Sequence, residues 1–441
     1  MKRLTVIAAS ALVLAGCQDT RAPFSPEAAP ELSAGQAGAP NAGEYVAGQI
    51  LVRFRAGVNR AQVAAAHGAS VQRELNLPGI FVLSVAPGRE LAVVSALSRN
   101  PNVEFAEPDY IRTHGVICGT GVCEPPSDTY FGYKWDLHND GDLNNSTGAF
   151  VVNTGKADAD TDWLEAYQQL GAITGSAVIG IVDTGVLSTH PDLVGRVLAG
   201  YDFVNNDADP NDDDGHGTHV AGIAAGLGND VTGVTGVAYG PNIKVLPVKV
   251  CGPSGCPTSA IVNGIKFAAD NGAHAINLSL GGRFGSTSEQ QALQYALSKN
   301  SLPFCATGND GSPRNISYPA KFPECVAVGA TNWSDGRAGY SNAGPEIDIS
   351  APGGDSENAN GYSYILSAYN SGGYVFMAGT SMATPQAAGL AGLLHATGVT
   401  GASNIRSRIE STVDDLGSAG WDKYFGKGRI NIYRAINNIT S

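Results

Sequence analysis

Basic charge is in short supply in this chain. Its 27 Lys and Arg face 40 Asp and Glu, a formal net charge of -13. That balance argues against nucleic acid and against an anionic membrane surface as partners. Charge of either sign is scarce, at 15% of residues, which leaves room for a large buried core. There is no C-x-x-C pair and no paired Cys/His spacing of the kind that holds zinc. Long apolar runs are missing too. Leu4 to Leu14, behind Lys2 and Arg3, reads as a signal peptide and is too short to cross a membrane as a mature helix. Glycine is abundant, with 57 residues beside a hydrophobic content of 43%, which fits an α/β protein with many tight turns. The length of 441 residues has room for two or three domains.

The chain is organised around Gly379-Thr380-Ser381-Met382-Ala383-Thr384-Pro385, a glycine-led turn running into an Ala/Gly/Leu-rich segment. Leu390, Leu393 and Leu394 recur at helical spacing beside Gly389 and Gly392, which predicts a helix packed closely on all sides and running through the core. Pro385 is expected in its first turn, where a missing N–H costs least. Alone, Ser381 would read as a helix cap. Two other stretches change that. Val178 to Gly185 is an apolar run ending in Asp183, expected as a buried parallel strand with the carboxylate at its C-terminal end. Asp214 to Gly222 places His216 and His219 at the start of a second small-residue helix. Asp, His and Ser are the residue types that acyl transfer needs. Serine is a weak nucleophile until an imidazole takes its proton, and a carboxylate fixes the imidazole's tautomer.

These segments resemble the subtilisin family of serine proteases: VDTGV around Asp183, GHGTHVAG around His216, GTSMATP around Ser381, and Thr307-Gly308-Asn309 where the family's oxyanion asparagine sits. The resemblance covers roughly residues 125 to 440. It implies a doubly wound α/β fold, a mostly parallel sheet with helices on both faces, preceded by a small α+β pro-domain. It implies a secreted serine endopeptidase acting through an acyl-enzyme on polypeptide substrates, with autocatalytic removal of its own inhibitory pro-segment. Asp183, His216 and Ser381 would be the triad and Asn309 the oxyanion donor. His219, one turn further along, is expected to be structural. Ser279, Leu280, Gly281 and Gly308 would line the pocket for the side chain before the scissile bond. Ser254 and Gly255, next to Cys256, would pair with substrate backbone.

Structural calcium is the cofactor the resemblance implies, at three candidate sites. The first takes Asp192 with Asn229, Asp230, Thr232 and Val234; the second takes Asp202, Asp207, Asp209 and Asn211. The third takes Asp348 with the carbonyls of Pro323 and Cys325. Two rival functions use the same residue types. An α/β-hydrolase esterase would carry G-x-S-x-G and the order Ser, Asp, His, and neither is present. A catalytically silent peptide-binding protein on this scaffold would be expected to have lost a triad residue, and none is missing.

In chain order, residues 1–17 read as a lipoprotein-type signal peptide whose Cys17 would carry lipid, and 18–43 as a disordered linker. Residues 44–112 read as the pro-segment. Its strands are expected at Ile50 to Phe54, Ile80 to Val85 and Val103 to Phe105, and its helices at Val58 to His67 and Glu90 to Arg99. Residues 113–175 are expected as an N-terminal extension of the mature chain and 176–441 as the catalytic domain. In the latter, Ile243 to Val250, Ala275 to Leu280 and Val326 to Gly329 read as strands, and Ser259 to Asn271, Ser288 to Lys299 and Ile405 to Thr412 as helices. Six cysteines fall into near neighbours, Cys118 with Cys123, Cys251 with Cys256 and Cys305 with Cys325, read as disulfides of an exported protein. The expected cut lies in Arg112-Thr113-His114-Gly115-Val116, freeing a monomeric enzyme whose precursor touches a membrane only through its lipid.

Overall fold

The computed structural model describes residues 20–23, 45–74, 79–110, 117–118, 121–122, 126–139, 155–355 and 363–441. The signal peptide, Cys17 and the expected cut at 112–116 lie outside them. The described residues form two units, one within 32–117 and one within 118–441 that also includes strand β1 (Thr20–Pro23). That strand corrects the expectation of a structureless linker over 18–43, since it pairs antiparallel with residues 375–378 of the larger unit.

The smaller unit has the order β2 (Tyr45–Phe54), α1 (Arg60–Ala66), β3 (Ser70–Glu74), β4 (Ile80–Ser84), α2 (Glu90–Leu97) and β5 (Val103–Tyr110). Its sheet is antiparallel in the order β3-β4-β2-β5, a split β-α-β arrangement. Strand alternation builds its core. Ile50, Val52 and Phe54 point inward from β2, and Phe81, Leu83 and Val85 from the β4 segment, onto Val93 and Leu97 of α2. Asn59 caps α1 by accepting from the Gln62 N–H at 3.2 Å. Strand β3 was not expected from the sequence. It is a polar edge strand whose side chains are nearly all exposed.

The larger unit follows a two-stranded pair, β6 (Ile117–Cys118) and β7 (Gly121–Val122). Its strands are β8 (Ala177–Asp183), β9 (Tyr201–Asp202), β10 (Ile243–Lys249), β11 (Ala275–Leu278), β12 (Leu302–Ala306), β13 (Val326–Thr331) and β14 (Ile349–Pro352). They form one seven-stranded parallel sheet in the order β14-β13-β12-β11-β8-β10-β9. The chain leaves β8 toward β10 on one side and returns to β11 on the other. The crevice at the C-terminal end of β8 is therefore the topological switch point where such sheets bind ligands.

Helices α3 (Trp163–Leu170), α4 (His216–Ala225), α7 (Thr380–Ala396), α8 (Ala402–Ser411) and α9 (Ile432–Asn437) share one core with Ile179 and Ile181 of β8. Helices α5 (Thr258–Asp270) and α6 (Thr287–Ser298) cover the other face, against Val182, Leu246 and Leu278. A hairpin, β15 (Ile365–Ala368) and β16 (Tyr374–Ala378), leads directly into α7. Helix α7 is buried from Thr380 to Leu394, as its composition predicts. Its closeness to its neighbours requires glycine: a Cβ on Gly389 would stand 2.6 Å from the Ala224 carbonyl, and one on Gly392 would stand 2.7 Å from Ile179 Cδ1.

The expected division between an extension at 113–175 and a domain starting at 176 is not a structural boundary. Trp135, Leu137 and Trp163 belong to the main core. The Trp135 indole donates to the Tyr364 carbonyl at 3.0 Å and the Trp163 indole to that of Val237 at 2.9 Å. Among the described residues no helix is long and apolar enough to cross a membrane.

Candidate active site

Asp183 is the last residue of β8 and is fully buried. Its Oδ1 accepts from the Thr184 N–H at 2.8 Å and from His216 Nδ1 at 2.6 Å. Burial raises its pKa, opposed by the His216 imidazole beside it. With Nδ1–H committed to Asp183, the His216 lone pair lies on Nε2. His216 opens α4, and that opening is built by a residue not singled out in the sequence. Asp212 Oδ2 accepts from the Thr218 N–H at 2.9 Å and its hydroxyl at 2.6 Å. Asp212 Oδ1 accepts from Gly215 N–H at 2.8 Å and from the Thr184 hydroxyl at 2.9 Å. One carboxylate thus caps the helix carrying His216 and ties it to the residue after Asp183. An acid placed just before a glycine-led helix start is the signal that could have pointed to it.

His219 sits one turn further along α4, and its Nε2 donates to the Val375 carbonyl at 3.0 Å. Burial drives its pKa down to about 3, so it is a neutral internal strut.

Ser381 lies in the first turn of α7, among the N–H groups a helix leaves without internal partners. Its hydroxyl donates to the Ser279 carbonyl at 3.3 Å. The neighbouring Thr380 fixes Asn309, whose Oδ1 accepts from the Thr380 N–H at 2.9 Å and its hydroxyl at 2.8 Å. The amide is thereby oriented with its oxygen on Thr380 and its NH₂ turned away. Gly308 donates its N–H to the same Thr380 hydroxyl at 3.1 Å, and its φ of +99° suits glycine alone; a Cβ there would meet Ser317 Oγ at 2.4 Å. The structure therefore assembles two groups at the C-terminal edge of the sheet, Asp183 with His216, and Ser381 with Ser279, Gly308 and Asn309. Leu280 and Gly281 continue from Ser279, with Gly281 against the Ser317 side chain. Ser254 and Gly255 form an exposed hairpin closed by the Cys251–Cys256 disulfide, S–S 2.01 Å. Cys305 and Cys325 are also bonded, bracing β12 ahead of Asn309. The side chains of Cys118 and Cys123 lie outside the described residues.

The three candidate cation sites differ. Asp192 Oδ1 accepts from the Tyr374 hydroxyl at 2.8 Å and its Oδ2 from the Val234 N–H at 2.9 Å. Asp128, which the sequence reading missed, reaches the same loop. Its Oδ2 accepts from the Asn229 N–H at 2.8 Å, and its buried Oδ1 has no partner among the described residues. Burial, with like charge from Asp230, pushes Asp192 up to about 7 and Asp128 up to about 6. Asp230 Oδ1 accepts from the Thr232 N–H at 2.9 Å, closing the loop. These acidic and carbonyl oxygens fit a hard cation, although among the described residues no three His, Cys, Asp or Glu side chains alone are grouped to hold one. The second candidate is occupied by turn chemistry. Asp202, Asp207 and Asp209 each accept backbone N–H groups of their own loop, from Val204, Asp209 and Asn211. The third is a correction. Arg406 Nη1 donates to the Pro323 carbonyl at 3.0 Å and the Cys325 carbonyl at 3.2 Å, and Nη2 to Asp348 at 2.8 Å. A guanidinium supplies the positive charge expected of calcium there.

The strand order and the edge on which these groups gather define the subtilisin-like fold. The chain belongs to the subtilase family, whose sequence model matches residues 175–428, while a model of the fervidolysin N-terminal prodomain matches residues 32–109. It is a serine protease made with a prodomain. It is 45% identical over 275 residues to thermitase of Thermoactinomyces vulgaris, covering 62% of this chain and 93% of thermitase. To a thermophilic serine proteinase of Bacillus sp. (strain AK1) it is 39% identical over 401 residues, 89% of this chain and 88% of that one. Among solved structures, one of proteases from Pseudoalteromonas arctica is similar at TM-score 0.61 and 31% identity, covering 71% of this chain and 99% of that one.

Proposed function

We propose that this subtilase is an exported endopeptidase in which Ser381 is the nucleophile, His216 the general base and acid, and Asp183 the group that holds His216. The observation that carries this reading is the 2.6 Å bond from His216 Nδ1 to a buried Asp183 at the switch point of the sheet. The Ser381 hydroxyl turns from the Ser279 carbonyl to His216 Nε2, gives up its proton and attacks the substrate carbonyl carbon. The oxyanion gathers the Asn309 NH₂ and the Ser381 N–H at the positive end of α7. His216 then protonates the leaving amine, and water resolves the acyl-enzyme by the same steps in reverse. Ser279, Leu280 and Gly281 with Gly308 line the pocket for the side chain before the scissile bond, and Ser254 and Gly255 pair with the substrate backbone.

The prodomain acts as the enzyme's own inhibitor and is cut within 112–116 by the same active site, which separates the catalytic unit from a lipid on Cys17. A calcium ion would be held by Asp192, Asp128, Asn229 and loop carbonyls of 230–234, where it supplies rigidity and no chemistry. Ser381→Ala should abolish casein hydrolysis and fluorophosphonate labelling, and should leave the precursor uncut and attached to membranes. Normal hydrolysis by that variant would sink the reading; clipping at the same place in a protease-deficient host would remove self-processing alone.

A further inference from the structure

The sequence reading placed Pro385 in the first turn of its helix, where a missing N–H is harmless. The structure corrects this. Helix α7 begins at Thr380, so Pro385 lies beyond the opening turn. In a regular helix the N–H of residue 385 would bond the carbonyl of residue 381. Proline has none, so the nucleophile's own carbonyl, in a fully buried residue, loses its helical donor.

A donor arrives from the sheet instead. Ser279 Oγ donates to the Ser381 carbonyl at 2.8 Å. A hydroxyl has one hydrogen to give, and here its lone pair is engaged as well, because Asn277 Nδ2 donates to Ser279 Oγ at 2.9 Å. Asn277 lies in β11, beside β8, and is fully buried. Its Oδ1 has no partner among the described residues, so the amide is not placed there to satisfy itself. Ser279 also presents its backbone carbonyl to the Ser381 hydroxyl. One residue at the end of a central strand therefore grips the nucleophile's peptide unit and its side chain together.

We propose that Asn277 and the Ser279 hydroxyl are positioning residues for Ser381, with Ser279 Oγ standing in for the N–H that Pro385 lacks. This rests on Ser381 being the nucleophile, and it gives the Ser279 side chain a role separate from that of its backbone in the substrate pocket. The physical demand is plain. A nucleophile displaced by about 1 Å can lose roughly a hundredfold in rate.

The test is a double-substitution cycle in the full chain: wild type, Ser279→Ala, Pro385→Ala and the pair. Each is read by the rate of fluorophosphonate labelling at Ser381 and by kcat and KM on a small peptide amide. Ser279→Ala should lower the labelling rate and kcat by about ten- to a hundredfold, with KM within about twofold. Pro385→Ala restores the helical N–H. In that background the same Ser279 substitution should cost no more than about threefold, because the carbonyl no longer depends on the hydroxyl. Equal losses in the two backgrounds would overturn the proposal, since a merely structural serine would be missed equally in both. Should Ser279→Ala not accumulate as folded protein, Asn277→Ala removes the orientation of the same hydroxyl and is read in the same two backgrounds. Failure of the wild type to label at Ser381 would instead strike the proposed nucleophile itself.

Discussion

His216 and His219 lie on one helix with the same side chain, and only their surroundings separate their roles. His216 borders the crevice and is held by Asp183, whereas His219 is sealed in the core against Val375. Burial holds His219 well below the 6.5 of a free imidazole, down to about 3. Between those two values the unfolded chain binds a proton that the folded chain refuses. The stability His219 contributes is therefore complete above about pH 6.5 and falls as the pH drops, by about 1.4 kcal/mol per unit. His219→Gln keeps an N–H donor for Val375 without a titrating group. Its melting temperature should fall less than that of the wild type between pH 7 and pH 4.5, and parallel curves would refute the assignment. Asn309→Ala is a purely catalytic test at the same scale. It removes the proposed oxyanion donor and should lower kcat by about 10²–10³ with KM little changed; a matching rise in KM would mean that Asn309 binds substrate rather than the transition state. The residues proposed to touch substrate were legible because each stands in a motif with its neighbours. Asp128 was not, because it acts on a loop about a hundred positions away; Asp212 had a local signal as an acid before a helix start, but its tie to Thr184 beside β8 is made only by the fold. Arg406 was invisible for the same reason, and so calcium was expected where a guanidinium sits.

Elements were legible where composition and length agreed. The strand ending at Asp183 and helix α7 were both read from runs of uniform character; the strand holds nearly to its predicted limits, while the helix begins earlier than the expected place of Pro385 implied. Strand β12 was missed because Leu302–Ala306 has only five residues and Pro303 breaks its run, whereas β10 carries its Pro247 inside a longer apolar run. Strands β14 and β15, each of four residues, are too short to show a period. Small residues on α7 carry a prediction about packing. Gly389→Ala gains about 1 kcal/mol of helix propensity, yet its Cβ would press on the Ala224 carbonyl at 2.6 Å and on Val237 Cβ at 2.8 Å. Backbone cannot swing aside as a side chain can, and overpacking of this kind typically costs about 1–3 kcal/mol. The overpacking term should win, and the melting temperature should drop by several degrees. A rise would show that α4 and α7 have more room between them than these contacts allow.

At the scale of the whole molecule, the sequence divides where the fold does not. Residues 126–139 precede the segment matched by the subtilase model, yet they carry Trp135 into the main core and Asp128 onto the loop around Asn229. The proposed calcium site therefore joins three distant stretches: Asp128, Asp192 after the central strand, and the 229–234 loop. Without a cation, burial above all, and behind it the mutual repulsion of these carboxylates and Asp230, pushes Asp192 up to about 7 and Asp128 up to about 6. A divalent ion would relieve that repulsion and fasten the start of the catalytic unit to its middle. Because the proposed site exists only when all three stretches are folded, calcium would bind the native state alone. At a hundred times its dissociation constant it would stabilise by about 2.7 kcal/mol. Chelation should therefore lower the melting temperature of the mature protein, and added calcium should raise it in a concentration-dependent way. Asp128→Asn should blunt that response as strongly as Asp192→Asn does, although only Asp192 sits in a recognisable motif. A full calcium response in the Asp128→Asn protein would detach the 126–139 segment from the site, and no response in the wild type would leave the three carboxylates as an uncompensated acidic pocket.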